Sequence, residues 1–110
     1  MIPFDQIAKV FSFVTEKKYC VEIQFKLAES EKFDLCWMGK MWGKKEKKEI
    51  YWYGLTPDGS NAYEFDSFDQ MTQAPVFDGL NLQEVWDCVV IEEIDGCDPN
   101  QRLQDYVKRK

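Results

Sequence analysis

The chain has 110 residues, a net charge of −6 and no histidine. That length fits one domain, spanning 1–110, that can bury a core without disulfide or metal staples. An apolar share of 45% beside 31% charged residues excludes a disordered chain. The missing histidine excludes Ser-His and Cys-His nucleophile systems and imidazole acid–base catalysis.

Residues 3–16 read as a helix, with Pro3 at its start, where a missing N–H costs nothing. Phe4, Ile7, Ala8, Val10, Phe11 and Val14 share one arc of its surface. Phe13 points away from that arc and is either covered by another element or presented to a partner. Residues 19–27 then alternate, with Tyr19, Val21, Ile23, Phe25 and Leu27 on one face and Cys20, Glu22, Gln24 and Lys26 on the other. A polar connection leads to a returning strand over 33–38, giving a hairpin with Leu27 opposite Phe33. Cys36 and Met38 then fall on the side of Cys20, Glu22, Gln24 and Lys26.

Residues 39–49 read as a mobile basic loop rooted at Trp42 and expected to be dispensable for folding. A strand follows over 50–55, then the turn residues Thr56, Pro57, Asp58, Gly59 and Ser60, then a partner strand over 62–65. Pairing Leu55 with Ala62 gathers Ile50, Trp52, Tyr63 and Phe65 on one side, making Trp52 a core anchor beside Phe11. The other side holds Tyr51, Tyr53, Leu55 and Glu64.

Ser67 and Gln70 have capping-box spacing and open a short helix, 68–73, that Pro75 ends. Asp78-Gly79 marks a turn. Asn81 and Glu84 repeat the capping spacing ahead of an apolar helical face of Leu82, Val85, Trp86 and Val89. A strand over 88–94 ends at Asp95-Gly96, and Asp98 with Pro99 starts a C-terminal helix whose apolar side is Leu103, Tyr106 and Val107. Hairpins followed by helices define the α+β class. The expected architecture is a single, mainly antiparallel sheet built from hairpins, with an N-terminal helix, short helices and a C-terminal helix packed on it.

Chemistry-bearing patterns are sparse. The four cysteines, Cys20, Cys36, Cys88 and Cys97, form no close pair, so they are expected as free, mostly buried thiols, with neither disulfide nor metal site. No phosphate-binding, dinucleotide or nucleophile-elbow motif occurs. The neighbouring carboxylates Asp66/Asp69, Glu92/Glu93 and Asp95/Asp98 could perform acid–base work, but sequence proximity alone singles out none of them among 20 acids. No catalytic residue and no cofactor are expected.

Charge is uneven. Residues 1–55 hold ten lysines against eight acids, net +2, whereas residues 56–110 hold four basic and twelve acidic side chains, net −8. The total speaks against nucleic-acid binding, and the acidic half suits a basic protein partner. No stretch approaches the ~20 apolar residues of a membrane span, and no cleavable leader is evident, so a cytoplasmic location away from membranes is expected.

The sheet side bearing Tyr51, Tyr53, Met38 and Glu64 is too polar for a main core and too aromatic for routine solvation. Together with Phe13 it is the candidate partner surface, the competing account being that a terminal helix covers it. The function read from the sequence is a non-catalytic protein-binding module, suited to an inhibitor, antitoxin or immunity role. The alternatives are a small-molecule binder with a pocket lined by Trp37, Trp52 and Trp86, and a carboxylate-based enzyme. Oligomeric state is not legible in the sequence.

Overall fold

The computed structural model describes residues 1–13 and 20–108. Helix α1 spans Phe4–Ser12; strands β1 Val21–Leu27, β2 Cys36–Gly43, β3 Lys48–Gly54 and β4 Ala62–Phe65 follow. Helix α2 is Phe68–Gln73, β5 is Val89–Ile94 and α3 is Pro99–Lys108. The five strands form one antiparallel sheet in the order β4-β3-β2-β1-β5, so the expected α+β architecture is present. The expected helix beyond residue 13, with Val14, and the strand start at Tyr19 lie outside the described residues.

Local chemistry sets most boundaries. Ser67 Oγ accepts the Gln70 N–H at 3.1 Å, capping α2 as its spacing implies. Asp78-Gly79 and Asp95-Gly96 both take positive φ, and each closes a tight hairpin: Phe77 with Leu80, and Ile94 with Cys97. The second capping pair also forms, Asn81 and Glu84 exchanging side-chain-to-backbone bonds of 3.0 and 2.9 Å. It opens only turns and the single 3₁₀ turn Trp86–Cys88, not the expected helix. The following strand needs Val89 on the sheet, paired with Leu27.

Two one-residue offsets decide which way the strands face. The Leu27 N–H bonds to the Phe33 carbonyl, as a register of Leu27 with Phe33 requires, yet Phe25 pairs with Cys36. Two residues of β1 are thus matched by three of the returning chain, which is the count of a β-bulge. Past it, Cys36, Met38 and Lys40 share the side of Val21, Ile23 and Phe25, while Trp37, Gly39 and Met41 share that of Glu22 and Gln24. The second offset lies between β3 and β4: Gly54, not Leu55, pairs with Ala62. Leu55 donates instead to the Asn61 carbonyl at 2.9 Å, closing a five-residue loop. In that loop the Asp58 carboxylate accepts the Ser60 N–H and the Thr56 hydroxyl, and its pKa falls to about 2. A shift of one residue moves every side chain of a strand to the opposite face. Tyr51 therefore pairs with Phe65 and Tyr53 with Tyr63, while Trp52 lies opposite Glu64.

The core forms where the helices cover one face of this sheet. Ile7, Val10 and Phe11 of α1 pack with Val21, Ile23, Phe25, Cys36, Met38, Tyr53 and Leu55. Rings fill the layer: Phe77 meets Phe25, Phe33 and Tyr53 edge-on at 5.5–6.2 Å, and Phe68 bridges Phe4, Phe11 and Tyr51. Much of the high aromatic content is spent in this layer. Buried polar tips find partners: Tyr53 Oη donates to the Met71 carbonyl at 3.0 Å, and Trp86 Nε1 to that of Ile2 at 3.0 Å.

Among the described residues one charge enters the core. Lys40, 1% exposed, pairs with Glu49 at 2.6 Å and donates to the carbonyls of Phe11 and Phe13 at the end of α1. Its ammonium also stands 5.8 Å from the Tyr51 ring centre. The expected mobile loop over 39–49 is therefore mostly strand. Only residues 44–47 turn, closed by the Lys47 N–H on the Gly43 carbonyl at 2.7 Å. Lys40→Ala should lower unfolding free energy by about 2–4 kcal/mol, because it removes a charge pair and two bonds to helix-terminal carbonyls. Lys45→Ala, in the exposed turn, should change it by no more than about 0.5 kcal/mol. Urea unfolding of both variants checks this; equal, small effects would contradict the burial of Lys40.

Candidate functional site

The candidate partner residues do not meet on one surface. Tyr53 and Met38 are fully enclosed beneath the helices, and Tyr51 is half-buried against Phe11 and Phe68. Glu64 projects from the other side of the sheet, across from Trp52. Phe13 is half-buried, its ring 5.3 Å from Tyr106 on α3. Of the two accounts left open for this side, cover by helices is the one observed for Tyr51, Tyr53 and Met38, because the bulge before Cys36 turns β2 and β3 over relative to β1.

The same inversion leaves the opposite face without a helix over it among the described residues, though Ile50 on it is only 7% exposed. None of α1, α2 or α3 contributes its buried side to it, and Trp52, expected as a core anchor, lies there. Two rows can be read across it from the pairing. One runs Glu93, Gln24, Trp37, Gly54, Ala62; the other runs Glu22, Gly39, Trp52, Glu64. A third position pairs Met41 with Ile50. Each tryptophan thus faces a glycine across the β2–β3 pair: Trp37 opposite Gly54 and Trp52 opposite Gly39. A Cβ at Gly39 would sit 2.7 Å from Cζ2 of Trp52 and 1.9 Å from the Val21 carbonyl oxygen. Only glycine lets the Trp52 indole lie across the neighbouring strand. Around this centre Met41 is 40% and Val90 41% exposed. Among the described residues neither Trp37 nor Trp52 makes a ring contact or donates its indole N–H. Trp86, the tryptophan whose N–H is engaged, lies on the helix side. The three residues of the expected aromatic pocket are therefore divided between the two faces of the sheet, and no shared pocket forms.

The carboxylates fall into two groups. Asp95 accepts the Glu22 N–H at 2.9 Å, Arg102 Nε at 2.9 Å and the Tyr106 hydroxyl at 2.7 Å, clasping α3 to the end of β5. Burial and this bond push the Tyr106 pKa upward. Asp98 caps α3 through the Gln101 N–H, and Asp66 pairs with Lys48 at 2.6 Å. Glu22, Glu64 and Glu93, on the bare face, have no ion-pair partner among the described residues. On the same face, Lys26 shares a pair with Val90 and Lys48 is held by Asp66. No group of three or more His, Cys, Asp or Glu side chains is placed to hold a metal ion among the described residues. No helix there is long and apolar enough to cross a membrane.

All four cysteines are free, but three of them, Cys20, Cys88 and Cys97, are exposed rather than buried. Cys36 is enclosed, its Sγ 3.5 Å from the Leu55 carbonyl oxygen, and burial, helped by Asp34 and Glu92, pushes its pKa up to about 12. Compared with protein-family models, characterised proteins and solved structures, the chain matches none.

The residues missed from sequence, Gly39 and Met41, carried one usable signal. Gly39 and Gly54 are glycines in strands otherwise rich in large side chains, which marks a place where a ring is to lie over the backbone. A thiol reagent at mildly alkaline pH should titrate three cysteines in the folded protein, and Cys36 only after unfolding. Rapid reaction of all four under native conditions would place Cys36 on the surface.

Proposed function

We propose that the chain is a non-catalytic protein-binding module that docks a basic partner on the bare face of its sheet. One observation carries the reading: an antiparallel sheet covered by helices on one side presents two tryptophans, an exposed methionine and three carboxylates without an ion-pair partner among the described residues on the other. Tryptophan and methionine are enriched where proteins dock, and a contiguous aromatic centre with a polar rim is the anatomy of an interface. The net −8 of residues 56–110 supplies long-range attraction for a cationic surface. A small acidic domain of this form suits the role of an inhibitor, antitoxin or immunity partner, in which carboxylates cover a basic site.

The test compares partner capture by the wild-type chain with capture by face variants. Met41→Glu alters an exposed side chain and leaves the core untouched; Trp52→Ala removes the centre of the face. Each should weaken retention, Trp52→Ala by about 2 kcal/mol or more, close to thirtyfold. Gln73→Ala with Gln104→Ala, on the helix side, should leave retention unchanged, and circular dichroism verifies folding of every variant. Association of the captured partner should slow several-fold as salt rises, because screening shrinks from about 8 Å at physiological ionic strength to about 3 Å at 1 M. A partner retained by both face variants and lost by the helix-side variant would overturn the docking face. Insensitivity to salt would overturn the basic partner.

A further inference from the structure

The geometry points to Trp52, framed by Glu22 and Glu64, as a receptor for a guanidinium group, so that the basic partner is held through an arginine rather than a lysine. This inference rests on the docking reading above and adds to it a residue-level site and a ligand class.

Glu22, Gly39, Trp52 and Glu64 occupy one row across four adjacent strands. With strands about 4.8 Å apart, the two carboxylate-bearing Cα atoms are roughly 14 Å apart, on either side of the indole. Gly39 lets the ring lie over β2. A ring resting on the sheet in this way turns its other π face outward. Among the described residues no ring stacks on it and no cation pairs with either glutamate. A guanidinium is planar: it stacks on an indole and still directs N–H groups in its own plane toward carboxylates at both sides. A lysine ammonium carries its donors on a point-like tip and cannot do both at once.

The nearby cations do not fill this site. Lys26 and Lys48 each stand four residues along their strands from the row, and Lys48 is held by Asp66. The lysine turn at 44–47 begins beyond Gly43, four residues from Gly39. Four residues is roughly 13 Å, beyond the screening length of about 8 Å at physiological salt. Lys48 lines the cleft that also holds Glu64, its charge met there by Asp66, and Glu22 and Glu64 are the two carboxylates of the Trp52 row itself.

The probe is a blocked pentapeptide with two arginines between glycines, matched by peptides carrying lysine or citrulline in their place. The readout is the set of four tryptophan indole N–H resonances, assigned by single Trp-to-Phe variants. The arginine peptide, binding at an affinity on the order of millimolar, should shift Trp52 most, Trp37 less and Trp86 not at all. Lysine should bind several-fold more weakly, and citrulline, which is uncharged, should leave Trp52 unmoved. Glu22→Gln with Glu64→Gln, both exposed positions whose change leaves the core intact, should weaken arginine binding roughly threefold to tenfold. Equal shifts from lysine and arginine, an unchanged response in the double variant, or shifts confined to Trp86 would each overturn the guanidinium site. If the arginine peptide leaves Trp52 unmoved while the Trp52 and Met41 variants still lose a captured partner, the guanidinium site is wrong and the docking face stands. Loss of both results would remove the docking face as well.

Discussion

Between Phe25 and Leu27 the first strand advances two residues while the returning chain, from Phe33 to Cys36, advances three. That extra residue fixes the facing of β2, and through it that of β3, because antiparallel pairing passes parity from strand to strand, while the Gly54–Ala62 pairing sets that of β4. With it, Cys36, Met38, Tyr53 and Leu55 join Val21, Ile23 and Phe25 in one apolar layer for the helices to cover. Without it, the same helices would meet Trp37, Gly39 and Met41 beside the apolar face of β1. The position of the core and the composition of the bare face are two consequences of one register.

The register also places a lysine inside. Lys40 lies on the helix side of β2 and its charge is met by Glu49, by the Phe11 and Phe13 carbonyls and by the Tyr51 ring. A buried ammonium is costly unless paired and hydrogen-bonded. Here its donors reach the end of α1, where helix carbonyls lack intrahelical partners and the helix dipole favours a cation. The lysine therefore ties the covering helix to the strand register beneath it, and any slip of β2 would carry that charge to the opposite face and strip α1 of its anchor.

Much of the fold was legible in the sequence. Alternation over Val21–Leu27, the Ser67 cap, the Asp78-Gly79 and Asp95-Gly96 turns and the Asp98 cap are local signals, and each corresponds to a local structure in the molecule. The candidate surface was not legible, because it depends on how two locally regular strands are matched. Neither Phe33, Leu35 and Trp37 nor Tyr51 and Tyr53 states which parity faces inward: both alternate sets in β2 and β3 mix apolar and polar side chains. Lys40 is the clearest case, since a lysine among Lys44, Lys45, Lys47 and Lys48 reads as one more solvated charge. The glycines opposite Trp37 and Trp52 were the available clue, and their meaning emerges only once the pairing is known.

Hydroxyl-radical footprinting with residue-level mass spectrometry measures directly which face of the sheet is open. In the folded protein Met41, Trp37 and Trp52 should be modified much faster than the intrinsically comparable Met38, Met71 and Trp86. Unfolding in denaturant should erase each difference. Fast modification of Met38 and Tyr53, with protection of Trp52 and Met41, would contradict the register and remove the docking face with it.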